Sequence, residues 1–394
     1  MAIYLDHAAT TPLRREVLDA MLPFLTEEFG NPSSGHAFGR RARAALDDAH
    51  ERIARRIGAE AREIVFTSGG TEALNLGLKG AAWAGKARGH RIVTSSVEHH
   101  AVGHALRYLE RFGFEIVELP VDRYGRVDPD SVDAAITDKT ILVAIMLANN
   151  EVGTIQPIAE IGRRVHAHRG VLFAVDAIQA APHLELDVDA IGADLLAMSA
   201  HKFEGPKGVG ALYLRHGTHI VVQQQGGSQE RHRRGGTENV AGAVGMAHAF
   251  DLACDERAET GRRLRRQRDR LLKAVLAVDG TELTGHPKER LPNHLSLIAR
   301  DTDGSAVTMA LDLEGVAASV GSACTTGSTE VSHVLTAMGY PEEEARGALR
   351  LSLGRTTADA AIDEAVATIP RVVAMMRTGQ VAVAADPLGQ GSVA

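Results

Sequence analysis

Of the seven lysines in the chain, one stands apart from the rest. Lys79, Lys86, Lys139, Lys273 and Lys288 fall on polar helix faces or in hydrophilic loops, whereas Lys202 follows the apolar run DLLAMSA. An amine desolvated there has a depressed pKa and can act as a Schiff-base nucleophile. Asp176, 26 residues earlier at the end of VLFAV, offers a carboxylate to a cationic ring. A third reactive type is the thiol of Cys324 in GSACTTGSTEVSH, where glycine, serine, alanine and threonine leave nothing large enough to bury it. A cysteine in so bare a segment points to chemistry more than to packing.

A phosphate site completes this set. SGGTEALNLG, with Gly70 and Thr71, joins a strand to a helix, so backbone N–H groups meet at a helix N-terminus. The motif is neither GxGxxG nor GxxxxGK[ST], which argues against a dinucleotide or a nucleoside triphosphate. A Schiff-base lysine, a carboxylate for a ring nitrogen and a phosphate cradle together suggest pyridoxal 5'-phosphate. His99, His100 and His104 raise the alternative of a metal, but no HExxH pattern supports it, and no metal is expected.

These residues need a scaffold that gathers them. From residue 63 onward, short apolar runs (EIVFTSG, RIVTSSV, FEIVELPV, TILVAIMLANN, VLFAVDAIQ, DLLAMS, VGALYLR) alternate with amphipathic stretches. That rhythm predicts an α/β domain with a mostly parallel sheet covered on both faces. Ligands of such sheets bind beyond the carboxyl ends of the strands, which are where SGGT, SVEHH, ANN, DAIQ and SAHK stand. A long helical region from about 238 to 277 leads to a second cycle of NHLSLIA, AVTMALDLEG and VAASVGSAC, read as a smaller C-terminal domain. With 394 residues the chain exceeds the roughly 250 to 300 at which a single core stops growing. TGQVAVAADPLGQGSVA is expected to be a frayed tail.

Bulk properties exclude other classes. A net charge of -7 gives no general attraction to nucleic acid or anionic membrane, and the basic run RRLRRQRDR is expected to be the solvated face of a helix. Mean hydropathy is -0.08, and the longest apolar run, ILVAIMLA, is too short to span a bilayer. MAIYLDHAATT lacks the pattern of a secretory leader, so a cytoplasmic location is expected. Two cysteines, Cys254 and Cys324, make no disulfide framework.

YLDHAATTP, GNPSSGHAFG, FTSGGTEALN, SSVEHHAV, NNEVGTIQPI, VDAIQ, SAHKFEGPKGVGALY, RRGGTEN, SACTTGS and LRLSLGRTT follow one another in order up to about residue 375. Together they closely resemble the cysteine desulfurases of the NifS and IscS type, in the class V group of fold type I pyridoxal phosphate enzymes. The resemblance implies a large domain over 16–255 with a mostly parallel seven-stranded sheet, a small α/β domain from 1–15 and 256–377, and a disordered 378–394. It implies that Lys202 carries the cofactor and Asp176 partners its ring nitrogen. Gly70, Thr71, Ser199 and His201 would hold the phosphate, Gln179 the phenolic oxygen, and His99 would stack on the ring and transfer protons. Asn150 and Arg355 would receive the carboxylate of L-cysteine, a task suited to a forked guanidinium. Thr237 would reach the phosphate of a second subunit, which implies a homodimer.

In this chemistry Cys324 is the thiolate that takes the substrate sulfur, leaving alanine and a persulfide for a sulfur-acceptor protein. Iron-sulfur cluster assembly, transfer RNA thiolation, cofactor synthesis and DNA modification are all open as destinations. A selenocysteine lyase, a class V aminotransferase and a non-catalytic sulfur carrier are the competing readings. Glu204 stands where many relatives have tyrosine and Gly236 where serine or alanine is common, and neither is expected to alter the reaction. The tail lacks the Leu-Trp-Glu segment by which some relatives dock an iron-sulfur scaffold protein.

Overall fold

The computed structural model describes residues 2–321 and 331–378. Cys324 and the residues from 379 onward lie outside the described residues. Each of the seven apolar runs forms a strand: β1 (Ile64–Thr67), β2 (Arg91–Ser95), β3 (Glu115–Leu119), β4 (Thr140–Met146), β5 (Leu172–Asp176), β6 (Leu195–Ser199) and β7 (Gly210–Leu214). They make one sheet in the order β1-β7-β6-β5-β4-β2-β3, parallel except for β7, which runs antiparallel to both its neighbours. Alternation along β4 explains the double cover. Leu142 and Ala144 enter one core, with Leu74 and Leu106 of the helices α1 (Gly70–Gly85) and α2 (His100–Glu110). Val143 and Ile145 enter the other, with Leu46 and Phe250.

A third core collects Ile3, Leu5, Leu297, Leu351 and Ile369 around an antiparallel sheet of Thr281–Leu283, His294–Ala299 and Ala348–Ser352. The helix α3 (Val240–Val275) joins the cores, since Met246 and Phe250 pack under the large sheet while Leu264 and Leu271 pack in the third core. Its basic run is solvated only in part. Arg265 and Arg266 are exposed, but Arg268 is buried and donates to the Leu291 carbonyl at 2.9 Å, and Arg263 donates to the carbonyls of Arg355 and Thr357. Long arginines there satisfy backbone carbonyls of neighbouring loops. Among the described residues no helix is long and apolar enough to cross a membrane.

Candidate active site

The carboxyl ends of β4, β5 and β6, with the N-termini of α1 and α2, open into one cavity of about 270 Å³. Its lining includes Gly70, Thr71, His99, Asn150, Asp176, Gln179, Ser199, His201 and Lys202, so the fold unites nine of the residues singled out above. β5 ends at Asp176 and β6 at Ser199, and a single 3-10 turn, Ala200–Lys202, then carries His201 and Lys202 past the strand end. The Lys202 Nζ donates to the carbonyls of Ala8 at 2.6 Å and Ala9 at 2.9 Å. Gln179 Nε2 donates to the same Ala8 carbonyl at 2.8 Å, so the DHAATT segment forms one wall.

Burial sets the electrostatics. Asp176 is pushed up to about 6 by desolvation, opposed by the Ile178 N–H that it accepts at 2.9 Å and by the charge of Lys202. His99 is lowered to about 4 by burial first and by the Lys202 charge second, so it is neutral near pH 7. Its Nδ1 accepts the Ala101 N–H at 3.0 Å, capping α2 and leaving the proton on Nε2. His201 is likewise lowered to about 4 by burial, and its Nδ1 lies 3.1 Å from Thr10 Oγ1.

The helix α1 begins after Gly69, whose φ of 152° suits glycine and whose place brings no side-chain cap. A Cβ on Gly70 would meet Ile178 Cδ1 at 2.2 Å, so glycine lets the helix start pack against Ile178, and Gly70 lines the cavity there. An uncapped helix start beside Ser199 and His201 suits a phosphate, and a buried carboxylate raised by desolvation suits a cationic ring nitrogen. These donors fit pyridoxal phosphate.

Two residues named from sequence lie elsewhere. Arg355 lines a smaller cavity of about 60 Å³ that shares Lys202 with the larger one, and its Nε donates to Glu204 Oε2 at 2.6 Å. Thr237 is exposed and lines a separate pocket with Ser68, Arg234 and Glu238. Among the described residues no group of three or more His, Cys, Asp or Glu could hold a metal ion, and His100 stacks on His104 at 5.2 Å.

Two residues near the cavity were not assigned from sequence. Glu98, next to His99 in the chain, is buried and accepts from Ser95 Oγ at 2.5 Å and Met146 N–H at 3.0 Å. Burial, and then Asp176, push it up to about 8, so it holds a proton at pH 7. Arg350 lines the cavity while 2% exposed, and joins Asp6 Oδ1 at 2.7 Å to the carbonyls of Gly321 and Asn150 at 2.7 and 3.1 Å. A lone charge within an apolar strand, ALRLS, was the available signal for it.

Residues 3–364 match the family model described as Aminotransferase class-V. The chain belongs to the class-V aminotransferase family. Within this class-V family it is 48% identical over 376 residues to a protein named cysteine desulfurase IscS from Methanosarcina thermophila, covering 95% of this chain and 93% of that one. A cysteine desulfurase IscS from Dictyoglomus turgidum is 48% identical over 377 residues, covering 95% of each. The solved structure of a NifS-like protein superposes with a TM-score of 0.90 at 35% identity, covering 95% of this chain and all of that one. The expected fold type I architecture of the class-V family is thereby borne out.

Proposed function

We infer that this chain is a cysteine desulfurase that converts L-cysteine to L-alanine and keeps the sulfur as a persulfide on Cys324 for a sulfur-acceptor protein. The observation that carries the reading is the single cavity that holds Lys202, Asp176, His99 and the α1 N-terminus. Sequence identity of 48% to proteins named cysteine desulfurase supports the same substrate. When bound, pyridoxal phosphate supplies an electron sink that makes the substrate α-proton labile and the sulfur open to attack.

The chain's own groups do the rest. Lys202 would hold the cofactor covalently and, once released from it, move the α-proton. Asp176 would keep the ring nitrogen protonated, because a cation beside it offsets the desolvation that raises the free acid. Gly70, Thr71, Ser199 and His201 would hold the phosphate, and Gln179 the phenolic oxygen. His99, neutral and with its tautomer set by the Ala101 N–H, would lie against the ring and carry a proton on Nε2. Asn150 and Arg355 would receive the substrate carboxylate. Cys324 as thiolate would attack the substrate sulfur: an S–S bond forms as the C–S bond breaks, and the carbon keeps the electron pair and is protonated to give alanine.

The active form is proposed to be a homodimer in which Thr237 serves the partner's phosphate, with a cytoplasmic location. The test is alanine formation from L-cysteine by the purified protein, with persulfide located by mass spectrometry. Alanine formation that requires a keto acid, or a colourless protein without activity, would reject this reading.

A further inference from the structure

Glu204 holds the arginine read as the carboxylate receptor. Arg355 turns into the smaller cavity, and its Nε meets Glu204 Oε2 at 2.6 Å. Glu256 Oε2 lies at 4.0 Å, but that acid is already held by both Nη atoms of Arg14 at 2.8 and 2.7 Å. Glu204 is therefore the acid that neutralises Arg355.

The two partners differ in freedom. Glu204 has φ of 62°, a left-handed backbone rarely adopted by side-chain-bearing residues, and it is pinned on both sides. Its N–H donates to Thr11 Oγ1 at 2.8 Å, and its carbonyl accepts from the Arg14 N–H at 3.0 Å. Its side chain is 12% exposed, against 35% for Arg355. The more exposed arginine side chain therefore has more room to turn away from the pair than the glutamate has. A guanidinium already paired attracts a second carboxylate less, and the apparent affinity falls by the fraction of arginine that is unpaired.

We propose that Glu204 is the resident counter-ion of Arg355, which the substrate carboxylate must displace, and that Glu204 thereby sets the cysteine concentration needed for half-saturation. The inference rests on the reading of Arg355 as the carboxylate receptor. Glu204 is a positioning residue, acting only through that arginine. If it served instead to aim the guanidinium fork at the substrate, its loss would weaken binding, so the two roles have opposite signs.

The experiment uses the holoenzyme and Glu204→Gln. Relative to the unaltered enzyme, KM for L-cysteine and the inhibition constant of L-alanine should fall on the order of fivefold, by more than any change in kcat. The inhibition constant of cysteamine, which has no carboxylate, should not move. Glu204→Asn, whose side chain tolerates the left-handed backbone better, repeats the measurement if the glutamine variant folds poorly. An unchanged or raised KM in a folded variant overturns the proposal. Arg355→Lys is measured alongside, and an unchanged KM there removes the carboxylate reading of Arg355 itself, whatever Glu204→Gln does.

Discussion

At the scale of single residues the assignments separate cleanly by substitution. Lys202→Ala should lose the borohydride-stable pyridoxyl adduct, and peptide mapping of the unaltered protein should find it on Lys202; an adduct on Lys207 would overturn the assignment. The two cysteines should diverge as well. Burial raises the Cys254 thiol, which packs half-buried on α3 with its Sγ 2.9 Å from Arg257 Nη2, so it is a poor nucleophile at pH 7. Cys324→Ser should keep cofactor and lose alanine production together with the persulfide, because a hydroxyl cannot store sulfur. Cys254→Ser should retain both, and mass spectrometry after cysteine treatment distinguishes them. Arg355→Lys should keep cofactor and lose about 2 to 4 kcal/mol in kcat/KM, since an ammonium cannot reproduce a two-point contact.

At the scale of elements, the loop after β4 shows how backbone conformation places the side chain proposed to bind substrate. Asn149 Oδ1 accepts the N–H groups of Glu151 and Val152 at 2.8 and 2.9 Å, and its N–H donates to the Thr154 carbonyl at 2.9 Å, which fixes Asn150 at the cavity wall. Gly153 closes that loop with φ of 78°, and a Cβ there would meet the His294 side chain at 2.8 Å. Gly153→Ala should therefore cost about 1 to 3 kcal/mol of stability, from strain and overlap together, as read from urea denaturation. A raised KM for cysteine should accompany it as Asn150 shifts. We propose the division into domains at 16–255 and at 1–15 with 256–377 on the separate cores, and its boundary falls inside the continuous helix α3.

For the whole molecule, buried histidines set the response to acid. His7, His99, His183 and His201 are lowered by burial from 6.5 to about 4, 4, 3 and 4, and His294 is lowered as well. Between these values and 6.5 the unfolded chain binds the extra protons, so stability falls with pH through that window. Asp176 and Glu98, raised by burial to about 6 and 8, act in the opposite sense, but the histidines outnumber them. The denaturation midpoint of the cofactor-free protein should drop as pH falls from 6.5 toward 4, and a flat profile would contradict this account. Sedimentation should give twice the chain's 41.9 kDa for the proposed homodimer. Much of this molecule is legible in its linear sequence. The seven strands, their mostly parallel arrangement and the polar residues at their ends follow from local apolar runs and turn residues, because periodicity and chain punctuation are properties of neighbours along the chain, whereas the antiparallel direction of β7 does not. The roles proposed for Lys202 and Asp176 were legible for the same reason, since Asp176 is the polar end of one apolar strand and Lys202 lies one short turn past the end of the next. Tertiary structure alone decided that Arg355 pairs with Glu204 across 151 positions, that Arg350 lies buried in the cavity lining, that Glu98 is buried, and that Arg268 turns inward from a basic run. Those outcomes depend on which distant segments remove water from a charge and which supply its partner, and no local pattern of residue types encodes either.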